Sequence, residues 1–370
     1  MRSILKFTSL LLASAVMFLS CDKTGDDTSM NAGFQITSDK NVIQSNGVDF
    51  TTFTAILDGK DVTAETTFYL KETMTPLDGN KLTADKDGVY NVIASYGTFY
   101  TEDPIAVTAI SIAVPEAAAD PDASKTSFVH RAFLNQYTGT GCPNCPYMKR
   151  ALKEAFKDED TKNMSVIAAI HSYDSGDPAY FPSMRTSSYP YLMIDFNEGL
   201  SLHEYDPEAK LGVLKSKLEE ITSTPALVGI SANPIFADDV LVVTVSVKAA
   251  QSGEYNLGVW LLQDNVYGKQ SDKSGLVAQD PSYNYHDDCL RVADSRYSNS
   301  LDMGHPLGEI KAGETALRTF VFNIDKESWK VNDMNNIHFA AYVTARSGRK
   351  YSVVNVVDCP IDQPTPYEYK

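Results

Sequence analysis

Cys142-Pro143-Asn144-Cys145 sets two thiols three residues apart. At that spacing one thiolate can attack a disulfide and the other can resolve the mixed disulfide that forms. The flanking residues predict where the pair sits. Residues 128–134 (FVHRAFL) are apolar and β-compatible, whereas residues 146–156 (PYMKRALKEAF) are helix formers with Pro146 suited to a first helical turn. A cysteine at a helix start faces unpaired N–H groups and the positive end of the dipole, both of which favour the thiolate. Cys142 is therefore expected to be the exposed nucleophile and Cys145 the buried resolver. A closed disulfide that only staples the helix start fits the same spacing, and both readings stand at this level.

Three further cysteines have separate roles. Arg2 and Lys6 precede an apolar stretch that ends at Phe18-Leu19-Ser20-Cys21. That stretch is too short for a comfortable membrane span and reads as an export leader, residues 1–20. A cysteine directly after such a core resembles a bacterial lipobox, with Phe18 in place of the usual Leu. The resemblance implies that Cys21 is acylated and becomes the mature N-terminus; a plain secretory signal with an incidental thiol is the alternative. Export permits disulfides. Cys289 and Cys359 are then left over, and their pairing is expected as a structural disulfide closing a loop of about 70 residues, on the order of 4 kcal/mol in the chain-entropy picture. It requires Cα atoms within about 7 Å.

Other chemistries find little support. A zinc site would need a second ligand pair beside Cys142 and Cys145, and Cys289 and Cys359 do not form one. The six histidines show no H-x-x-x-H or H-E-x-x-H spacing, and no serine sits in a G-x-S-x-G elbow. His171 ends an apolar run and reads as a satisfied, partly buried side chain. His286-Asp287-Asp288 could hold a cation but reads more simply as a solvated turn. Tyr180, Tyr189 and Tyr191 could form a binding platform, with packing as the plainer account. No metal or cofactor is expected. With 32 basic against 48 acidic residues, and a net charge of -16, the chain should repel nucleic acid. Loss of residues 1–20 removes Arg2 and Lys6 and takes the charge to -18.

The elements that must position these residues follow from patterning. At 370 residues, 43% of them hydrophobic, the chain should hold two or three domains. Residues 21–32 are a polar, acidic tether. Residues 33–114 alternate as short strands punctuated by Asp58-Gly59 and Gly97, which predicts a small immunoglobulin-like β-sandwich. Residues 115–124 (PEAAADPDAS) read as a linker.

In residues 125–224 the C-x-x-C helix is followed by an unbroken apolar run, 164–170, fitting a buried parallel strand. Two short segments then flank Asn197-Glu198-Gly199 as a hairpin. Asp206-Pro207-Glu208 opens a helix with Leu211, Leu214, Leu218 and Ile221 on its apolar face. Residues 225–361 alternate again and predict a C-terminal β-sandwich, interrupted by a long polar loop from Gly268 to His286 that suggests function or mobility. Residues 362–370 are expected as a tail. The fold class is thus multidomain, α/β plus all-β.

Strand, C-x-x-C, helix, strand, insertion, hairpin, helix is the order of a thioredoxin-like α/β domain, which the middle segment resembles. Such domains carry a cis-proline facing the cysteines at the start of the third strand. Pro190 occupies that place, and Tyr189 would pair through its backbone with a substrate strand. The chain as a whole resembles the outer membrane protein twenty-eight-related family of Bacteroidetes lipoproteins. The resemblance rests on Tyr137-Thr138-Gly139 before the C-x-x-C, Ile170-His171-Ser172, Tyr189-Pro190, residues 285–291 (YHDDCLR) and Val353-Val354-Asn355.

It implies an exported lipoprotein of the outer membrane, anchored at Cys21 and facing the periplasm or the cell surface. Its partners would be exported proteins bearing thiols or disulfides. One departure bears on chemistry. Six residues before the first cysteine, where thioredoxins often keep a buried carboxylate, stands Gln136, which cannot act as a base.

Overall fold

The computed structural model describes residues 33–101, 103–200, 207–294, 304–348 and 350–370. The leader, the acidic tether, Cys21 and the helix-opening Asp206 lie outside the described residues. The chain is β-rich and multidomain, with several sheets and few helices. No described helix is long and apolar enough to cross a membrane.

Residues 33–114 form two small sheets around one core. Strands Phe34–Ser38 and Phe50–Leu57 pair antiparallel in one. Ile105–Ile110 lies between Val42–Gln44 and Gly88–Tyr96 in the other. Alternate residues of both turn inward, so that Ile43, Phe53, Phe68, Val92 and Val107 share one buried cluster. Residues 115–124 do not hang free. The Pro115 carbonyl accepts from Thr244 Oγ1 at 2.7 Å, and Asp120 pairs with the buried Lys248 at 2.9 Å.

The remaining chain contributes strands β1 (Ala132–Thr138), β2 (Ser165–His171), β3 (Tyr191–Ile194), β4 (Glu198–Leu200), β5 (Val228–Ala237), β6 (Val240–Ala249), β7 (Gly253–Gln263), β8 (Cys289–Ala293), β9 (His305–Ile310), β10 (Thr315–Asn323), β11 (Ile337–Ser347) and β12 (Lys350–Pro360). Helices α1 (Cys145–Ala155) and α2 (Pro207–Thr222) complete the scaffold of the site.

The expected boundary near residue 225 is not a break between sheets. One sheet runs in the order β4-β3-β1-β2-β8-β7-β11-β12, with β9 also on β7. The junction is the parallel pairing of β2 with β8 at Ala169 and Cys289, supported by a hydrogen bond from Ala169 N–H to the Asp288 carbonyl at 2.7 Å. Side chains cross the same junction. Phe133 packs against Trp260 and Tyr342, with ring centroids 5.1 and 5.3 Å apart, and Phe196 lies 5.6 Å from Trp260. Three such aromatic contacts contribute about 0.5–1.5 kcal/mol each beyond their buried area. They weld the two segments into one core. On the other face of β7 and β11, Leu257, Val259, Phe339 and Val343 pack against the three-stranded sheet β5-β6-β10.

Residues 362–370 are likewise tied in and are not a tail. Thr365 bridges Ala232, and Phe128 bridges both Ala226 and Tyr369. Phe128 is fully buried and packs against the Tyr367 and Tyr369 rings, which also meet each other.

Cys289 and Cys359 do not form the expected disulfide. Both are free and buried. Cys289 lies on β8 and Cys359 on β12, with β7 and β11 between them. Three strand spacings amount to about 14 Å, twice the reach of a disulfide.

Candidate functional site: the covered Cys142–Cys145 disulfide

β1 leads directly into the cysteines. Leu134 and Ala132 on one face meet Met148, Ala151 and Leu152 of α1 and Leu214 and Leu218 of α2, while Phe133 and Tyr137 turn to the opposite face. Both helices therefore cover one side of β1, and α1 begins where β1 ends. The intervening loop packs closely enough to demand glycine. A Cβ on Gly139 would stand 2.6 Å from Tyr173 Cβ, and one on Gly141 would stand 2.5 Å from Asp174 Oδ2. Asp177 and Asp174 hold this loop by accepting from Thr140 N–H at 2.6 Å and Gly141 N–H at 2.9 Å.

Cys142 and Cys145 are joined, with an S–S distance of 2.03 Å and Cα atoms 5.4 Å apart. Helix α1 starts at Cys145 itself, with Asn144 in the cap position and Pro146 in the first turn. The Tyr189–Pro190 peptide is cis. It opens β3, which pairs with β1 through Tyr191 and Tyr137, at the sheet end from which the C-x-x-C loop departs. Pro190 is buried and Tyr189 half-buried. Tyr189 shares a hydrogen bond with Ser172 Oγ at 2.9 Å and meets the Tyr173 ring edge to face.

The expected exposure of Cys142 is not observed. Cys142 is 1% and Cys145 2% exposed. The C-x-x-C loop is held under a strap that the sequence marked only as part of a long polar loop. Ser271 N–H donates to the Thr140 carbonyl at 2.7 Å and Lys273 N–H to the Pro143 carbonyl at 3.0 Å. Just before them the Gln270 side chain is buried, and its Nε2 reaches the carbonyl oxygens of Cys142 at 2.9 Å and Thr140 at 3.1 Å. Backbone carbonyls that would otherwise face water are thus capped by a segment some 130 residues further along. Composition flagged the loop, but nothing local identified Gln270, because its partners are distant in sequence.

Beside Cys145 lies a cavity of about 290 Å³, lined among others by Gln136, Lys149, Lys153, His171 and His286. Gln136 and Cys145 line the same cavity. Lys149 donates to the carbonyls of Tyr283 and Tyr285, and burial pushes its ammonium down to about 8. Burial, with His171 and Lys149 nearby, pushes His286 down to about 3, so it is neutral. Its Nε2 lies 3.2 Å from the Gly268 carbonyl, which can only accept, so the proton resides on Nε2.

His171 lies at the cavity wall, 1% exposed. Its Nδ1 is 2.8 Å from Asp177 Oδ2, and its Nε2 is 3.5 Å from Cys289 Sγ. Burial raises the Asp177 carboxyl, but the hydrogen bond from His171, its charge and the N–H groups of Thr140 and Ala179 outweigh this and hold the group well below the usual carboxylate range. This resembles a relay of thiol, imidazole and carboxylate. Yet Cys289 is fully enclosed and burial pushes its thiol well up, so no electrophile can reach a thiolate there.

No known family profile matches the chain, and no curated protein matches it. Among solved structures it is similar to HBP35 of Porphyromonas gingivalis, at a TM-score of 0.50 and 17% identity, over 65% of this chain and 78% of that one. Spo0M of Bacillus subtilis aligns with a TM-score of 0.20 and 14% identity over 35% of this chain and 48% of that one, too weak to bear on the fold. The likeness to HBP35 is one of fold.

Proposed function

We propose that the chain is an exported, lipid-anchored protein whose Cys142–Cys145 pair exchanges disulfides with thiols of other exported proteins. The observation that carries this reading is a disulfide at the start of α1, on the sheet end where Tyr189-Pro190 leads into β3. The order β1-α1-β2-β3-β4-α2 supports a thioredoxin-like reading of residues 125–224. In it β2 lies parallel and β3 antiparallel to β1, and both helices lie on one face. We read the first module as an immunoglobulin-like spacer and Cys21 as the acylated N-terminus, on the strength of the leader and lipobox pattern.

In the exchange, a partner thiolate attacks Cys142 Sγ and the S–S bond breaks. Cys145 leaves as a thiolate that takes up a proton, for which Lys149 of the adjoining cavity is a donor. A second partner thiolate then attacks the partner sulfur and releases Cys142. Two electrons pass to the pair and the partner gains a disulfide. The strap must lift for the first attack. Run in reverse, reduced Cys142 attacks a partner disulfide, and removal of Cys145 leaves the mixed disulfide unresolved. Cys145→Ser is therefore expected to capture exported proteins through Cys142, and Cys142→Ser to capture few. Equal or absent capture by both variants defeats the redox reading.

The burial of both cysteines favours one other reading, a binding or structural lipoprotein in which the disulfide is static.

A further inference from the structure

We propose that Asp264, Asp288 and His338 form a binding site for a divalent transition-metal cation, with zinc as the reference ion. The three residues meet at one end of the long sheet, far apart in sequence. Asp264 follows β7, Asp288 precedes β8, and His338 is the second residue of β11. One ligand atom from each lies within 4.8 Å of the other two.

The argument turns on the two nitrogens of His338. Nδ1 is 2.6 Å from Asp358 Oδ1 on β12, so a carboxylate that can only accept fixes the proton on Nδ1. Nε2 then points the other way. It lies 3.3 Å from Asp264 Oδ1 and 3.8 Å from Asp288 Oδ1, is itself buried, and makes no aligned hydrogen bond. An imidazole lone pair aimed between two carboxylate oxygens is repulsive unless something positive sits among them.

Two donors each ~2.0–2.1 Å from a tetrahedral centre stand about 3.4 Å apart, which matches the 3.3 Å between His338 Nε2 and Asp264 Oδ1 and asks Asp288 Oδ1, at 3.8 Å, to move in by about 0.4 Å. A carboxylate on the far ring nitrogen, here Asp358, is the usual support of a metal-bound histidine, because it fixes the tautomer and raises ligand basicity. One imidazole with two carboxylates suits a first-row divalent ion better than calcium or magnesium, which prefer all-oxygen shells. The Asp264 and Asp288 side chains are 39% and 35% exposed, so an ion can enter and complete its shell with water. Asp264 is held in place by accepting from Asp288 N–H at 2.8 Å, which ties two of the ligands to each other. The competing occupant of the same space is a second proton on His338.

The test is calorimetric titration of the tag-free mature protein with zinc chloride, with cobalt(II) absorption as the second readout. One zinc per chain is expected. His338→Gln and Asp264→Asn should each weaken it at least tenfold, and Asp358→Asn, a positioning change, by 10–100-fold. His305→Gln should leave it unchanged, since His305 pairs with Asp294 elsewhere. Should His338→Gln fail to fold, Asp264→Asn, which keeps the shape of the side chain, decides. The absence of a saturable single site in the wild-type protein, or tight zinc binding that survives these substitutions, overturns the proposal.

Discussion

Replacing Gln270 by alanine should speed reduction of the Cys142–Cys145 disulfide by about 30-fold. The Gln270 amide has two N–H hydrogens, and its Nε2 lies within 3.5 Å of the carbonyl oxygens of Gly139, Thr140, Cys142 and Ser271. At most two hydrogen bonds can be well formed at once, and those that hold the strap down are the ones to Thr140 and Cys142, at 3.1 and 2.9 Å, since Ser271 belongs to the strap itself. At about 1 kcal/mol net for each, the side chain stabilises the closed strap by about 2 kcal/mol. Thr140 keeps its bond from Ser271 N–H and Pro143 keeps its bond from Lys273 N–H, so the backbone of the strap has no reason to unfold. If a reductant reaches the sulfurs only when the strap lifts, 2 kcal/mol multiplies the open fraction about 30-fold, because 1.4 kcal/mol is a factor of ten. The assay is the pseudo-first-order rate of reduction by dithiothreitol, followed by alkylation and mass, for the wild type and Gln270→Ala at equal thermal stability. Equal rates would show that the strap does not control access, and the reasoning from these hydrogen bonds would fail.

Three further outcomes follow from other parts of the molecule. Burial pushes the Asp195 carboxyl up to about 7, outweighing the N–H of Phe133 that favours its ionised form. The folded state then keeps a proton that the unfolded chain loses above pH ~4, so this contribution is complete below that pH and is lost as pH rises through about 7. Over some three units the loss is about 4 kcal/mol, and urea midpoints should fall between pH 4.5 and 7.5 in the wild type but stay level in Asp195→Asn; parallel profiles would reject the assignment. Cys289 and Cys359 should resist alkylation in the folded protein and react without reductant in denaturant, and a peptide linking them would contradict the strand order. Cys21→Ala should move the protein from the membrane to the soluble fraction, and unchanged partitioning would remove the lipid anchor from the account.

The site was legible in sequence where the signal is local. Helix α1 follows from Pro146 and the helix formers after it, and β2 from the unbroken run ending at Ile170. The hairpin was found, but its turn falls at residues 195–197 with Asp195 and Phe196 both at positive φ. Asparagine and glycine nearby suggested a later turn. What compensates for the backbone at Phe196 is its burial against Phe133, Trp260 and Tyr342, contacts that no local rule contains. The continuous sheet was illegible for a related reason. Its junction is a single bridged pair, Ala169 with Cys289, between segments that each read as complete domains. The even number of cysteines left once Cys21 is set aside suggested a second disulfide, yet register alone decides distance, and two strands intervene between Cys289 and Cys359.

The most direct test of the central claim is the equilibrium of the Cys142–Cys145 pair with glutathione redox buffers in the intact protein. An exchanging pair is expected at about -270 to -120 mV, the span of dithiol oxidoreductases, with Cys142 forming the glutathione adduct in Cys145→Ser. A potential below about -300 mV, with no adduct at Cys142, would contradict the account and leave a static disulfide in a binding protein.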